Sequence, residues 1–167
     1  TLINEFEDTK YRFFFEGGIE SYVHYLNRTS EVIANEVFYV DKQIDNVAVE
    51  IALQYKKDDY TEKLISFVNN VITPEGGTHV VGFRTALTRT MNKYAREQEI
   101  LKEKDQNLTS EDMIEGLTAI ISVKVPEPQF EGQTKGKLGT PEAKGITDRV
   151  MGEAFYDFLQ ENPRTAK

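Results

Sequence analysis

Two stretches in which apolar residues occupy every second position constrain the fold of this chain more than any other feature. In residues 46–55 five apolar side chains occupy every second position: Val47, Val49, Ile51, Leu53 and Tyr55. Residues 117–125 repeat the alternation. Because successive side chains of a strand point to opposite faces, a period of two indicates a strand with one strongly apolar face. The two stretches therefore predict strands of a sheet that is covered on one side.

Shorter apolar runs predict the remaining strands. Residues 36–40 and 63–71 are expected to lie beside the first alternating strand, with the polar residues 56–60 as a hairpin connection. The aromatic run at residues 11–16 predicts a further strand, which two glycines end.

Helical spacing appears between and after these strands. Residues 19–28 predict a short helix, and a long helix is expected after the two-glycine break at 76–77. A one- to two-turn helix is expected with Thr109 or Ser110 as its N-cap. Thr140 and Pro141 suit the N-cap and first position of a closing helix. The pattern predicts an α+β fold, in which helices cover one face of a mainly antiparallel four- to five-stranded sheet as a two-layer sandwich.

Length and composition limit the class of protein. The chain has 167 residues, 39% hydrophobic and 29% charged, which suits one domain with its own core. It has no cysteine, which excludes disulfides, thiol nucleophiles and thiolate metal sites. No apolar run approaches the ~20 residues of a membrane span and the opening residues do not resemble a targeting segment, so we expect a cytoplasmic protein with no membrane partner. The missing initiator Met suggests a piece excised from a longer polypeptide.

One segment opposes the net charge of −8, which itself argues against a surface broadly coated by nucleic acid. Residues 79–96 contain no Asp or Glu but carry four cations: Arg84, Arg89, Lys93 and Arg96. The helical spacing puts Arg84 on the shoulder of the apolar stripe and the other three opposite it. These cations are either an ordinary solvated helix face or a local basic surface. The charged residues 97–109 that follow predict a mobile connection.

A second candidate is the glycine-rich stretch at residues 130–139. Gln133, Thr134 and Lys135 lie between two glycines, and Lys137 follows. Glycine permits a backbone that approaches a ligand closely, and a lysine with a neutral amide donor suits a terminal phosphate. A solvated lysine loop is the alternative.

No other motif forms a catalytic set. The two histidines, His24 and His79, lack the spacing of a metal pair, and Asp58-Asp59 is most simply the tip of a hairpin. The residues therefore predict that the chain alone is not an enzyme.

Four longer motifs in this sequence resemble one family. FFFEGGIESYVHYLN, SFVNNVITPEGGTHVVGFRTALTRTMNKYAR, EGLTAIISVKVPEPQFEGQTKGKLGTPEAK and FLQENP resemble, in order and at matching intervals, the transducer domain of the B subunit of bacterial type IIA topoisomerases, DNA gyrase or topoisomerase IV. The resemblance covers nearly all of the chain. It implies that residues 1–167 are a single transducer domain of ribosomal-protein-like type, with a GHKL ATPase domain upstream and a cleavage domain downstream in the longer chain.

The resemblance also implies functions for the two candidates. In an ATP-dependent type II DNA topoisomerase, which supercoils or decatenates DNA by double-strand passage, Gln133 and Lys135 would contact the γ-phosphate of ATP bound in the upstream domain. Arg84 would line the cavity that holds DNA by its backbone, with three weaker candidates on the same helix: Arg89, Lys93 and Arg96. Mg²⁺ would be bound in the full-length enzyme and not by this fragment, which would be inactive alone.

The implied partners are DNA, the upstream ATPase domain, the A subunit of the holoenzyme and a second B subunit. Two departures from the family pattern are Ile114, where many relatives have Arg, and Gly136, where relatives often have Thr or Asp. The first puts an ion pair in doubt, and the second suggests a more mobile loop. The alternative function is a non-catalytic, partner-binding middle domain of a related GHKL ATPase of the chaperone or mismatch-repair type.

Overall fold

A computed structural model describes residues 2–4, 9–11 and 17–166. Two short strands at the start, β1 (Leu2–Asn4) and β2 (Thr9–Tyr11), pair antiparallel. The strand predicted at residues 11–16 falls, apart from its first residue, outside the described residues. The other elements are, in order, α1 (Gly18–Asn27), β3 (Phe38–Ile44), β4 (Val47–Tyr55), β5 (Lys63–Val68), β6 (Val71–Ile72), α2 (Thr78–Glu97), α3 (Ser110–Ile114), β7 (Leu117–Lys124) and α4 (Pro141–Glu161).

The main sheet has five strands in the order β3-β4-β7-β5-β6. Every neighbouring pair is antiparallel except β5 and β7, which are parallel. The predicted α+β class and the mainly antiparallel five-stranded sheet are confirmed. The two alternating stretches form β4 and β7, which lie side by side with Ile51 opposite Ile121.

The predicted position of residues 63–71 is wrong in one respect. Strand β7 lies between β4 and β5, so β5 is not a neighbour of β4 and residues 56–60 do not form a hairpin. Strand β7 suits the central place because its residues are buried on both faces. The run also splits into two strands, because Asn69 and Asn70 adopt positive φ of 49° and 65° and turn the chain between β5 and β6.

One face of the sheet carries the main core. The odd-numbered residues of β4, such as Val49 and Ile51, pack with Phe83 and Leu87 of α2 and with Met151 of α4, all of them buried. Burial of such side chains contributes roughly 1.5–3 kcal/mol each. The two long helices therefore cover this face, as the alternation predicts.

The predicted single covered face is incomplete, because α1 packs on the opposite face. There Val23 of α1 forms a second buried cluster with Ala52 and Ile120, the even-numbered residues of β4 and β7. Asn27 at the end of α1 donates to the Gln54 side chain at 2.9 Å. Apart from Ile120, the residues of β4 and β7 on this side are small or polar, so alternation in these two strands gives little signal for a second layer.

The short helix α3 begins as predicted. Thr109 is its N-cap, and it forms a capping box with Asp112: the Thr109 hydroxyl accepts from the Asp112 amide while the Asp112 carboxylate accepts from the Thr109 amide. These hydrogen bonds hold the pKa of Asp112 below its usual value. Ile114 at the end of α3 packs against the main core. In the described part of the chain, no helix has the length and apolar character that crossing a membrane requires.

Candidate functional site

The glycine-rich stretch forms a closed loop, which we call the lysine loop (residues 130–138). Its two ends pair as a short bridge between Phe130 and Leu138. The Glu131 amide donates to the Lys137 carbonyl at 2.8 Å, and the Gly139 amide donates to the Gln129 carbonyl at 2.7 Å. The loop therefore has a fixed base and a projecting tip.

The base of the lysine loop is also joined to the start of α2. Leu138 is fully buried there. Its amide donates to the Gly76 carbonyl at 3.0 Å, and its carbonyl accepts from the Thr78 amide at 2.9 Å. The Glu75 amide donates to the Gly136 carbonyl at 3.0 Å. These backbone hydrogen bonds hold the loop against the first turn of a long core helix, so its base cannot shift without α2.

The tip holds the residues that the sequence singles out. Gln133, Thr134 and Lys135 are exposed, and Lys135 adopts a positive φ of 55°. Gly132 adopts φ of 84°, and an added side chain there would meet nothing within 4 Å. The tip therefore stands in open space, with the backbone curvature that its glycine neighbour allows.

The two lysines of the loop differ in their surroundings. Lys137 forms an ion pair with Glu131 at 2.9 Å, which raises the pKa of Lys137. Among the residues that the structure describes, none forms an ion pair or a hydrogen bond with the side chain of Lys135. One lysine is thus neutralised within the loop, while the other presents an uncompensated charge at the tip.

Gly136 lies against an acidic side chain. A Cβ at this position would be 2.9 Å from the Glu75 Oε2 atom, so a larger residue would displace the Glu75 carboxylate. The predicted loop mobility at Gly136 remains a prediction, but its carbonyl is fixed by the Glu75 amide.

The four cations of α2 line one open groove of about 740 Å³, which we call the cation groove. Its walls include Arg84, Arg89, Lys93 and Arg96, together with Asn107 from the segment before α3. The structure therefore brings all four predicted cations to one surface, along the flank of the helix whose start holds the lysine loop.

Acidic partners for two of these cations come from distant parts of the chain. Arg84 Nη2 lies 2.6 Å from Glu62 Oε1, and Arg89 Nη1 contacts both oxygens of Asp148, at 2.8 and 2.9 Å. Neither acid is predicted from the sequence. No local signal marks them, since Glu62 precedes the cationic segment and Asp148 belongs to α4.

The other two cations have different surroundings. Lys93 Nζ lies 4.2 Å from the centre of the Tyr156 ring and 3.9 Å from Glu97 Oε1. Arg96 makes four hydrogen bonds to neutral acceptors: the Asn107 side chain at 3.0 and 2.7 Å, the Lys102 carbonyl at 2.9 Å and the Asp105 carbonyl at 2.8 Å. Arg96 therefore holds the segment that the sequence predicts to be mobile.

The remaining candidates have local contacts. His79 is fully buried, its Nε2 lies 3.3 Å from the Thr73 hydroxyl, and burial lowers the pKa of His79 to about 4. His24 is exposed on α1. Asp59 accepts hydrogen bonds from the Lys56 ammonium at 2.6 Å and from the Thr61 amide at 2.9 Å. Within the described residues, no three His, Cys, Asp or Glu side chains group together as metal ligands do.

Comparison with known proteins agrees with this architecture. The family profile described as DNA gyrase B matches residues 18–167, nearly the whole described chain. The chain belongs to the DNA gyrase B family. The DNA gyrase B protein of Bacillus mycoides is 57% identical over 158 residues, which are 95% of this chain and 39% of that relative. The DNA gyrase B protein of Clostridium acetobutylicum is 53% identical over 167 residues, 99% of this chain and 26% of the relative.

Solved structures of the DNA gyrase B family and of topoisomerase IV share the fold. The 43K ATPase domain of Thermus thermophilus gyrase B, in complex with an aminocoumarin, superposes with a TM-score of 0.83 at 35% identity, over 90% of this chain and 40% of that one. The topoisomerase IV ATP binding domain of Francisella tularensis gives 0.78 at 25% identity, over 98% of this chain and 43% of that one. This gyrase B family chain spans less than half the length of the relatives that it matches.

Proposed function

We propose that this chain is the transducer domain of a gyrase B-type protein in an ATP-dependent type II DNA topoisomerase. It would couple ATP binding and hydrolysis to movement of a DNA gate. The observation that carries this proposal is the difference between the two lysines of the loop. Lys137 is paired with Glu131, whereas Lys135, at an exposed tip, has no side-chain partner among the residues that the structure describes. A lysine held ready in this way is suited to an anion from outside the domain.

The residues of the tip fit the terminal phosphate of a nucleotide. Lys135 offers an ammonium with three donors, and Gln133, two positions before it, offers a neutral amide donor. The bound nucleotide supplies the phosphoryl group and the free energy of its hydrolysis. Lys135 would stabilise negative charge on that group. Because the base of the lysine loop is hydrogen-bonded to residues 75–78, a displacement of the loop would be transmitted directly to α2.

The cation groove is the proposed surface for DNA. A duplex that passes through a gate must be held by its backbone and released again, which favours contacts to phosphates over contacts to bases. Arg84 is the main candidate, as the family resemblance implies, and three other cations of the same groove are weaker candidates: Arg89, Lys93 and Arg96.

The proposal requires partners beyond this chain. They are an upstream ATPase domain that holds ATP and Mg²⁺, a second B subunit, the A subunit and DNA. The 167 residues would have no activity alone, because ATP and Mg²⁺ would be held by the upstream domain.

Substitution of Lys135 in the full-length B subunit tests the proposal. We expect Lys135→Ala to lower ATP turnover by about a hundredfold, the typical effect of removing one charge-stabilising donor, with a much smaller change in nucleotide affinity. Lys137→Ala is the matched control, since it removes the neighbouring lysine that Glu131 already neutralises. It should retain most of the turnover.

Equal turnover in Lys135→Ala and the wild type would remove the phosphate role of the loop. The same experiment tests the alternative function. In a partner-binding middle domain, Lys135→Ala and Lys137→Ala should have the same effect on ATP turnover.

A further inference from the structure

Arg84 forms the common wall of two grooves. It lines the cation groove on one side. On the other side it lines a second groove, of about 400 Å³, together with Glu62 and Glu75; we call this the acidic groove. The guanidinium is therefore placed where either a carboxylate of this chain or an external anion in the cation groove can reach it.

The contact between Arg84 and Glu62 is short, but it consists of a single hydrogen bond. Only Nη2 and Oε1 meet, at 2.6 Å, with side chains 35% and 26% exposed. A guanidinium has five N–H donors, and a carboxylate can engage it with both oxygens. In the described part of the chain, Arg84 has no second hydrogen-bond acceptor for its side chain. A single hydrogen bond therefore holds the guanidinium at Glu62.

The neighbouring arginines are held more firmly. Arg89 contacts both oxygens of Asp148, and Arg96 makes four hydrogen bonds to the segment before α3. Moving either of them to an external anion breaks several contacts. Arg84 gives up a single one, so it is the arginine of the cation groove whose partner is exchanged most easily.

We propose that Glu62 is an internal competitor of the DNA backbone at Arg84. Its carboxylate binds the guanidinium from the side of the acidic groove, and a phosphate oxygen of DNA in the cation groove competes with it for the same arginine. Glu62 thereby sets the affinity for DNA and favours its release. This inference rests on the proposed function of Arg84 at the DNA cavity. The arginine keeps an anionic partner throughout, because one anionic oxygen replaces another. Since the pair with Glu62 is partly exposed, its interaction is weak enough for DNA to displace it.

The test uses the full-length B subunit assembled with the A subunit, and linear duplex DNA as the probe. ATP turnover is measured against DNA concentration. We expect Glu62→Gln to lower the DNA concentration for half-maximal stimulation by roughly two- to fivefold, the range set by partly exposed ion pairs. Arg84→Gln should raise that concentration, and the double variant Glu62→Gln with Arg84→Gln should match Arg84→Gln alone.

Glu31→Gln is the matched control. Glu31 forms a comparable single contact with Lys57 at 2.7 Å, outside both grooves, so this variant removes the same charge without touching Arg84. It should leave the DNA dependence unchanged.

The outcomes separate the inference from the function on which it rests. Two outcomes would refute the competition while leaving the cavity role of Arg84 intact. In the first, Arg84→Gln raises the DNA concentration for half-maximal stimulation but Glu62→Gln has the wild-type value. In the second, Glu62→Gln changes that concentration by the same factor whether Arg84 is present or replaced by Gln. If Arg84→Gln itself equals the wild type, both fail. Glu62→Ala provides a second test, with the same expected direction as Glu62→Gln.

Discussion

The backbone of Leu138 lies directly against Gly77. A Cβ built on Gly77 would come within 2.4 Å of both the Leu138 amide nitrogen and its carbonyl oxygen. Gly77 also adopts a φ of 134°, which side chains disfavour. This is the point where the lysine loop meets the start of α2, so glycine here permits the close approach on which the loop base depends.

Gly77→Ala should therefore be strongly destabilising. Both the clash with backbone and the strained φ contribute, and we expect a loss of about 2–4 kcal/mol in the free energy of unfolding, measured by urea denaturation of this chain.

Gly145 in α4 offers the matched control. It is exposed, its φ is not in the left-handed region, and an added Cβ would meet nothing within 4 Å. Gly145→Ala should stabilise the chain by about 0.5–1 kcal/mol, because alanine is the better residue within a helix. Equal effects of the two substitutions would contradict a special role for Gly77.

The local parts of the fold follow from the sequence because their signals are periodic. The alternation in β4 and β7 and the apolar spacing of α2 each specify an element through neighbours in the chain. The position of β7 between β4 and β5 is different, because it depends on pairing between residues 50 or more positions apart. No pattern within either strand states which partner it takes.

In the candidate site, too, the local features can be predicted from the sequence and the long-range contacts cannot. The positions of Lys135 and of the cations on α2 can be predicted from spacing, and the structure places them on a tip and in one groove. The partners could not be predicted, since Glu62 and Asp148 reach the groove only through the tertiary fold. The loop conformation, and not the composition, likewise determines that Lys137 is paired with Glu131 while Lys135 has no such partner in the described part of the chain.

Burial of His79 predicts a loss of stability at mildly acidic pH. Its pKa is about 4 in the folded chain, against about 6.5 for an ordinary histidine, so the unfolded chain binds the proton first as the pH falls. The stability that the neutral imidazole contributes is complete above pH 6.5 and is lost between pH 6.5 and about 4. Between pH 7 and 5 the loss is about 2 kcal/mol.

Urea denaturation at several pH values checks this expectation. His79→Gln should flatten the dependence between pH 7 and 5, whatever its effect on stability at pH 7. His24→Gln, which alters the exposed histidine of α1, should keep the wild-type slope. A slope that survives in His79→Gln would assign the pH dependence to other groups.

Arg96 should control the dynamics of residues 98–109. Lysine cannot reproduce the planar set of donors that reaches Asn107, Lys102 and Asp105 at once. We expect Arg96→Lys to speed amide hydrogen exchange in this segment by about tenfold or more, equivalent to roughly 1.4 kcal/mol of lost local stability. Arg149→Lys serves as the control, since Arg149 makes one exposed contact with Glu153. Unchanged exchange in Arg96→Lys would show that the segment is held by other contacts.

The buried polar network under α1 should behave as one unit. Asn27 donates to the Gln54 carbonyl oxygen at 2.9 Å and accepts from the Thr118 hydroxyl at 2.7 Å, and all three side chains are buried. Asn27→Ala would remove the hydrogen bonds to the buried Gln54 oxygen and from the buried Thr118 hydroxyl, so we expect the free energy of unfolding to fall by about 2–4 kcal/mol. Thr118→Val should cost less, because it removes one hydroxyl and leaves only one acceptor site unfilled.

The double variant provides the sharper measurement. Once Asn27 is absent, the Thr118 hydroxyl has lost its acceptor, so Thr118→Val should cost less in the Asn27→Ala background than in the wild type, or should even stabilise it. Urea denaturation of the four chains gives the coupling free energy, which we expect to be about 1 kcal/mol or more. Strictly additive effects would mean that the hydrogen bond between Thr118 and Asn27 contributes nothing specific to the position of α1 on the sheet.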